Sequence, residues 1–266
     1  MTAAPICLEK VANLRDLGGI PTLDGRRVVP GRILRSGSLH EMTDQDRRAL
    51  EERRVRTVVD LRSAWEQSHQ AYAWPSGSHV AAPLASDDSV AAIFGRFQKG
   101  TLTEAEMADW WTTTGVFDAP ASFPTSVRAV FTALLDAAPG EAVLFHCTGG
   151  KDRTGAVAAL VLRALGAAPD AIVADFIESN GKLATPQRLE ELAARLNRGR
   201  EKPLSPEALF ALSGVKGEWL DVMFGRLADR FGSVEAYLSD ALGVTEADLA
   251  TLRERYLEPA ACSSGR

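Results

Sequence analysis

One stretch of the chain, HCTGGKDRTGAVAALVL at 146–162, gathers a thiol, two glycines, a lysine, an aspartate and an arginine immediately ahead of an apolar run. Cys147 and Arg153 are five residues apart in the loop between them, a spacing that suits one loop wrapped around a tetrahedral anion. In such a loop successive backbone N–H groups point inward as an anion nest, and the positive end of a following helix adds to them. Gly149 and Gly150 permit a close backbone approach that side chains would block. Arg153 can bind two phosphate oxygens in a fork. The same field acts on Cys147, because a cysteine at a helix N-terminus beside arginine and lysine is favoured as thiolate. The chemistry predicted is thiolate attack at phosphorus.

Other readings of these residues account for less. A nucleotide-binding P-loop needs G-x-x-x-x-G-K-[ST], but Phe145 stands five before Gly150 and Asp152 follows Lys151. Zinc binding by His146 and Cys147 is poor, since adjacent residues rarely converge on one ion and the chain has only four histidines, with no second cluster. A lone cysteine is most often a core residue. Packing, however, explains neither the glycine pair nor the Lys-Asp-Arg series.

A loop of this kind has to be carried by a strand and a helix. AVLF at 142–145 reads as a short buried strand, and the Ala-, Val- and Leu-rich segment from Thr154 as a buried helix closed by Gly166. GRILRS at 31–36, VRTVVDLR at 55–62 and HVAAPL at 79–84 supply further strands, and the Asp24-Gly25 turn before RRVV predicts a hairpin. Thr43 and Asp46 cap a short helix ending near Arg54. From Pro124 the spacing of Val127, Val130, Phe131, Leu134 and Leu135 is helical. Beyond Gly166 the chain reads as helices: one opened by Asp170 and stopping near Gly181, two opened by Thr185-Pro186 and Ser205-Pro206, and others divided at Gly232-Ser233 and at Thr245 with Asp248. The expectation is one α/β domain over 1–258, with a partly helical insertion or lid near 85–125 that includes Trp110 and Trp111, and a disordered tail over 259–266. Asp60 and Arg62, at the end of their strand, should lie near the loop, because sites in α/β sheets gather beyond strand C-termini. There they would orient Arg153 or the lid. Asn13, Arg15 and Asp16, with Gly18 and Gly19, form an early polar turn that either braces the site or is only a turn.

Composition narrows the partners. The 266 residues carry a formal net charge of -5, which gives no general field for nucleic acid or acidic lipid, so any anion site is local. Three cysteines, two of them near the termini, draw no disulfide framework and fit a reducing compartment. The start MTAAPICLEK lacks a basic region followed by an apolar stretch, and no apolar run approaches the ~18 residues of a membrane span. The chain reads as cytoplasmic, without integral membrane contact.

HCTGGKDRTG resembles the H-C-x-x-G-K-x-R-[ST]-G signature of cysteine-dependent protein phosphatases, and is most similar to the bacterial tyrosine/serine phosphatases. NLRDLGG at 13–19, GRILRSGSLHEMTDQD at 31–46, VVDLRSAWE at 58–66, ADFIESN at 174–180 and FGSVEAYLSDALGVTEADL at 231–249 look like that family's blocks in the same order, from about Cys7 to Glu258. The resemblance implies a cysteine-phosphatase fold, a central mostly parallel sheet flanked by helices, and hydrolysis of phosphotyrosine, with phosphoserine or phosphothreonine as further substrates, through a phosphocysteine. Cys147 would be the nucleophile and Arg153 would bind the equatorial oxygens, within a phosphate loop of His146, Thr148, Gly149, Gly150, Lys151, Thr154 and Gly155. Thr154 would bond the sulfur and help it leave, and His146 would fix the loop. Lys151 accompanies phosphoinositide acceptance in related loops, which keeps a lipid or inositol-phosphate substrate as the alternative, with a phosphate-binding module that has lost turnover as a further one. No metal or organic cofactor is implied, and inorganic phosphate would be the product. A carboxyl group must serve as general acid, with Asp152 favoured over Asp87, Asp88 and Asp118.

Overall fold

The computed structural model describes residues 8–86, 96, 101, 103, 106, 117–198, 200 and 202–259. Five strands, β1 (Arg15–Asp16), β2 (Ile33–Ser36), β3 (Val55–Asp60), β4 (Ser78–Ala81) and β5 (Ala142–His146), form one sheet in the order β1-β2-β5-β3-β4. β1 runs antiparallel to β2 at the edge, and every other pair is parallel. This is the mixed α/β, mostly parallel architecture expected. β5 occupies the centre, and all five of its residues are buried, as a parallel strand covered on both faces requires.

The period of two along the strands sorts side chains between two apolar layers. Ile33, Val59, Val143 and Phe145 face the larger layer, which is completed by α4 (Pro124–Asp136), α5 (Asp152–Leu165), α9 (Glu218–Phe231) and α11 (Glu246–Tyr256). Leu34, Val58, Ala142 and Leu144 face a smaller one with Val11, Leu39, Trp74 and Leu50 of α1 (Asp44–Glu52). α2 (Ala64–His69) follows β3, and α3 (Ala119–Ser122) precedes α4. α6 (Pro169–Leu183) follows α5, and α7 (Pro186–Leu196) and α8 (Pro206–Ser213) share an apolar contact of their own through Leu189, Leu192, Leu204 and Leu209. α10 (Val234–Ala236) and a π-helical turn (Tyr237–Ala241) lead into α11.

Most of the predicted starts and stops hold. Thr43, Thr185, Ser205 and Thr245 each cap a helix through the side chain, and Gly166 closes α5 in the left-handed conformation at φ 82°. The Asp24-Gly25 turn closes the expected hairpin, with Thr22 N donating to the Arg26 carbonyl, Val28 N to that of Ile20 and Gly19 N to that of Val28, and its second arm also meets the chain leaving α11, Val28 against Leu257. One boundary is corrected. The helix opened near Asp170 runs past Gly181 to Leu183, since the glycine has open space around it and does not break the ladder. Most of the expected insertion near 85–125, with Asp87, Asp88, Trp110 and Trp111, lies outside the described residues, as does the tail from 260.

Candidate active site

β2, β3 and β5 end together, with His146 level with both Ser36 and Asp60. The loop from Cys147 to Lys151 leaves the central strand between these ends and enters α5 at Asp152. Gly150 has φ +67°, and a Cβ there would lie 2.3 Å from the Ser36 carbonyl oxygen and 2.4 Å from the Gly37 nitrogen, so no other residue fits. Gly149 differs: a Cβ would meet nothing nearer than Lys151 Cγ at 3.7 Å. At Gly155 a Cβ would stand 2.5 Å from the Phe176 ring of α6, so the bare Cα is needed for packing.

The loop's carbonyls are held from outside. Asn13 Nδ2 donates to the Gly150 carbonyl at 2.9 Å and to that of Gly149 at 3.3 Å; Arg35 Nη2 donates to Gly150 at 2.9 Å and to Lys151 at 3.3 Å; Ser38 N donates to Thr148 at 2.9 Å. In a trans peptide the N–H points opposite to the C=O. Fixing these oxygens outward therefore turns the N–H groups of Gly149 to Asp152 toward the interior, and the nest is built. Of the early polar turn, Asn13 and Arg15 brace the site. Asp16 takes the Gly18 and Gly31 N–H groups and so ties its turn to the segment ahead of β2.

Arg153 is oriented by a residue the sequence reading passed over. Glu66 accepts from Nη1 at 2.6 Å and from Nη2 at 2.9 Å, and takes the Thr148 hydroxyl as well. Burial works against the Glu66 charge, but the guanidinium beside it, the Thr148 hydroxyl and the Ser63 N–H outweigh that and hold it at about 2. Glu66 also closes the capping box of α2 with Ser63. That S-x-x-E pattern, one residue past the strand-end Asp60-Leu61-Arg62, is the signal that could have found it. Nη2 also reaches the Thr148 hydroxyl oxygen at 3.4 Å, so Glu66 and Thr148 together fix the end of the guanidinium.

Asp60 and Arg62 lie beside the loop as expected, but they do not reach Arg153: they form a fully buried pair with each other, Nη2 to Oδ2 2.7 Å. Their partner is the back of the loop. His146 Nδ1 lies 3.0 Å from the Cys147 carbonyl, which can only accept, so Nδ1 carries the proton and Nε2 receives the Tyr72 hydroxyl at 2.6 Å. Burial pushes His146 down to about 4 against the pull of Asp60, whose Oδ2 is 3.8 Å from Nε2. His146 is thus a neutral strut behind the cysteine.

Cys147 is buried at the head of the loop. Lys151 Nζ donates to Asp152 Oδ1 at 2.9 Å and to the Gly214 carbonyl at 3.1 Å. Thr154 Oγ1 is buried without a hydrogen-bond partner among the described residues, so its bond to sulfur is not made here. Asp118 takes the Ser122 hydroxyl at the start of α3. Beside the loop opens a cavity of about 480 Å³, floored by Gly149 and Lys151 and walled by Arg188, Leu192 and Arg195 of α7 and Leu212 of α8. Among the described residues no three His, Cys, Asp or Glu side chains gather as a metal site, and no helix is long and apolar enough to cross a membrane.

A thiol at the mouth of a backbone anion nest, with a locked guanidinium at the first turn of a buried helix, defines a cysteine phosphatase. The chain belongs to the tyrosine phosphatase family, whose model matches residues 6–258. It is 34% identical over 255 residues, 95% of this chain and 88% of the relative, to a Cupriavidus necator protein provisionally named a tyrosine-protein phosphatase. It is 30% identical over 270 residues, 91% of this chain and 95% of the relative, to the triple specificity protein phosphatase PtpB of Mycobacterium tuberculosis. A tyrosine-protein phosphatase of Nostoc commune is 26% identical over 237 residues, 84% and 73% of the two chains.

Proposed function

We propose that this tyrosine phosphatase hydrolyses phosphotyrosine monoesters with Cys147 as nucleophile, Arg153 as the phosphate clamp and Asp152 as general acid and base, all within one domain over 1–258. The observation that carries the reading is the loop itself, with its N–H groups turned inward around a site that Cys147 opens and Arg153 closes. In the first half-reaction the Cys147 sulfur bonds to phosphorus while the bond to the leaving oxygen breaks, and Asp152 gives that oxygen its proton. In the second, water attacks phosphorus, Asp152 takes its proton, and inorganic phosphate leaves as the thiolate is restored. The Thr154 hydroxyl, buried without a partner among the described residues, is available to bond the departing sulfur. Inward N–H groups and Arg153 serve the charge that develops on the equatorial oxygens. Asp152 is favoured over Asp118 because it stands in the loop, and its bond to Lys151 must loosen as it donates. A reducing, cytoplasmic setting suits such a nucleophile.

A wider substrate range is the second reading, favoured by Arg188 and Arg195, exposed on the cavity wall without an ion pair among the described residues, and by Lys151 on its floor. Phosphoserine, phosphothreonine and phosphoinositides would bring their negative neighbours to that wall, in keeping with the triple-specificity name of the mycobacterial relative.

The test is hydrolysis of p-nitrophenyl phosphate by wild type and Cys147→Ser, with vanadate and with EDTA. Loss of turnover in the variant, inhibition by vanadate and indifference to EDTA are expected. Turnover that survives the substitution sinks the mechanism.

A further inference from the structure

The charged side chains around the loop are matched, with one exception. Arg153 faces Glu66, Lys151 faces Asp152, and Arg62 faces Asp60, which also lies 3.7 Å from His79. His146 is neutral. On the remaining side, from β2, β1 and α6, two guanidiniums meet a single carboxylate: Arg35 Nη1 bonds Asp175 Oδ2 at 2.5 Å, and Arg15 Nε bonds Asp175 Oδ1 at 2.8 Å. Arg35 is 0% exposed and Arg15 5%. One positive charge is thus buried in excess under the loop, an arrangement that favours an anion nearby. Arg35 also keeps a buried Nε without a hydrogen-bond partner among the described residues. Its other nitrogen holds the Gly150 and Lys151 carbonyls, two and three peptides from the sulfur-bearing end of the loop's turn.

Resting on Cys147 as the nucleophile, we propose that Arg35 is a positioning residue: its buried charge, which shares the single carboxylate of Asp175 with Arg15, favours the Cys147 thiolate while its guanidinium fixes the loop carbonyls. Burial and the neighbouring Arg15 charge pull Arg35 down to about 10, and Asp175 together with the Cys147 thiolate pull it back. The residue neither touches substrate nor exchanges a proton. Its counterpart is Asp175, which subtracts from the same field.

The two signs make the test. The pH dependence of Cys147 alkylation by iodoacetamide, a neutral reagent, is followed by mass spectrometry of the Cys147 peptide in full-length wild type, Arg35→Met, Arg35→Lys and Asp175→Asn. Arg35→Met should move the midpoint up by about one pH unit, and Asp175→Asn, which leaves both guanidiniums unanswered, should move it down by a similar amount. Arg35→Lys should keep the midpoint near wild type while lowering kcat, because the fork on the carbonyls is lost. A loop that is merely loosened shifts both variants the same way, and that result, or no shift in either, overturns the proposal. If Arg35→Met fails to fold, Asp175→Asn decides alone: a midpoint that rises or stays overturns it. Alkylation reads the thiol whether or not the chain turns over a phosphoester, so failure here is distinct from turnover surviving in Cys147→Ser.

Discussion

Replacing Glu66 by Gln keeps its shape and removes its charge. Glu66 is held at about 2 instead of an ordinary 4.5. At 1.36 kcal/mol per unit that difference is about 3 kcal/mol of stability carried by the charged form. Solvent screens little of it, because the side chain is 6% exposed. The folded-state value is the lower one, so the contribution is complete above the unfolded value near 4.5 and is lost as pH falls through about 2. At pH 7 Glu66→Gln should therefore melt about 5–10 °C below wild type, with Gln still able to accept one hydrogen bond from the buried Arg153. Near pH 2 the two proteins should converge. Thermal unfolding by circular dichroism at both pH values measures this, alongside kcat/KM at pH 7, where an unlatched guanidinium should cost about 100-fold. A melting gap that persists undiminished at low pH, or none at pH 7, refutes the assignment of Glu66 as the ion partner of Arg153.

Gly150→Ala should abolish turnover, while Gly149→Ala, with open space at its Cβ, should stay within about tenfold of wild type; equal effects would show that the loop is not shaped by the Ser36 carbonyl. Tyr72→Phe leaves His146 Nε2 buried and unpaired, which should cost about 1–3 kcal/mol in urea unfolding, and an unchanged midpoint would remove the Tyr72 to His146 bond. Asp152→Asn should lose far more rate on alkyl phosphates than on p-nitrophenyl phosphate, whose leaving group needs no proton; if Asp118→Asn does so instead, the acid is reassigned. Arg188→Ala with Arg195→Ala should raise KM for a phosphoinositide more than for phosphotyrosine peptide, and an equal change for both would remove the cavity wall from substrate choice.

What the sequence disclosed follows the range of the interactions concerned. The phosphate loop was legible because its chemistry is contiguous: nucleophile, glycines, clamp and helix start lie within ten residues. β5 was legible because it is buried on both faces and reads as an apolar run, β2 and β3 because Ile33-Leu34 and Val58-Val59 stand between turn signals, and the helix starts because Thr43, Thr185, Ser205 and Thr245 each accept from the backbone three residues on. Glu66 escaped because its role depends on α2 standing 87 residues from Arg153 in sequence. Arg35 and Asp175 escaped for the same reason, though both lie inside blocks that carried the family resemblance. RRVV was legible as the second arm of the Asp24-Gly25 hairpin, but a turn signal reports only the local partner, and the further pairing with the chain leaving α11, Val29 N to the Tyr256 carbonyl and Glu258 N to that of Arg27, was not.

The loop is tied to the chain at Asn13, at Arg35 and, through Asp175 and Ser179, at α6, spans of 137 and 115 residues from Gly150 for the first two. The first two need the chain through Gly150 and the third needs α6, and each must wait for distant segments to meet, the slow step in folding. A partly folded chain thus carries a cysteine with no nest and no buried guanidinium beneath it, as inert as any other thiol. Reactivity arrives with the last of the long-range contacts, so the labelling rate of Cys147 during refolding is a clock for completion of the whole molecule, and a truncation that removes Asn13 and Arg15 should stop that clock without touching a single reacting atom.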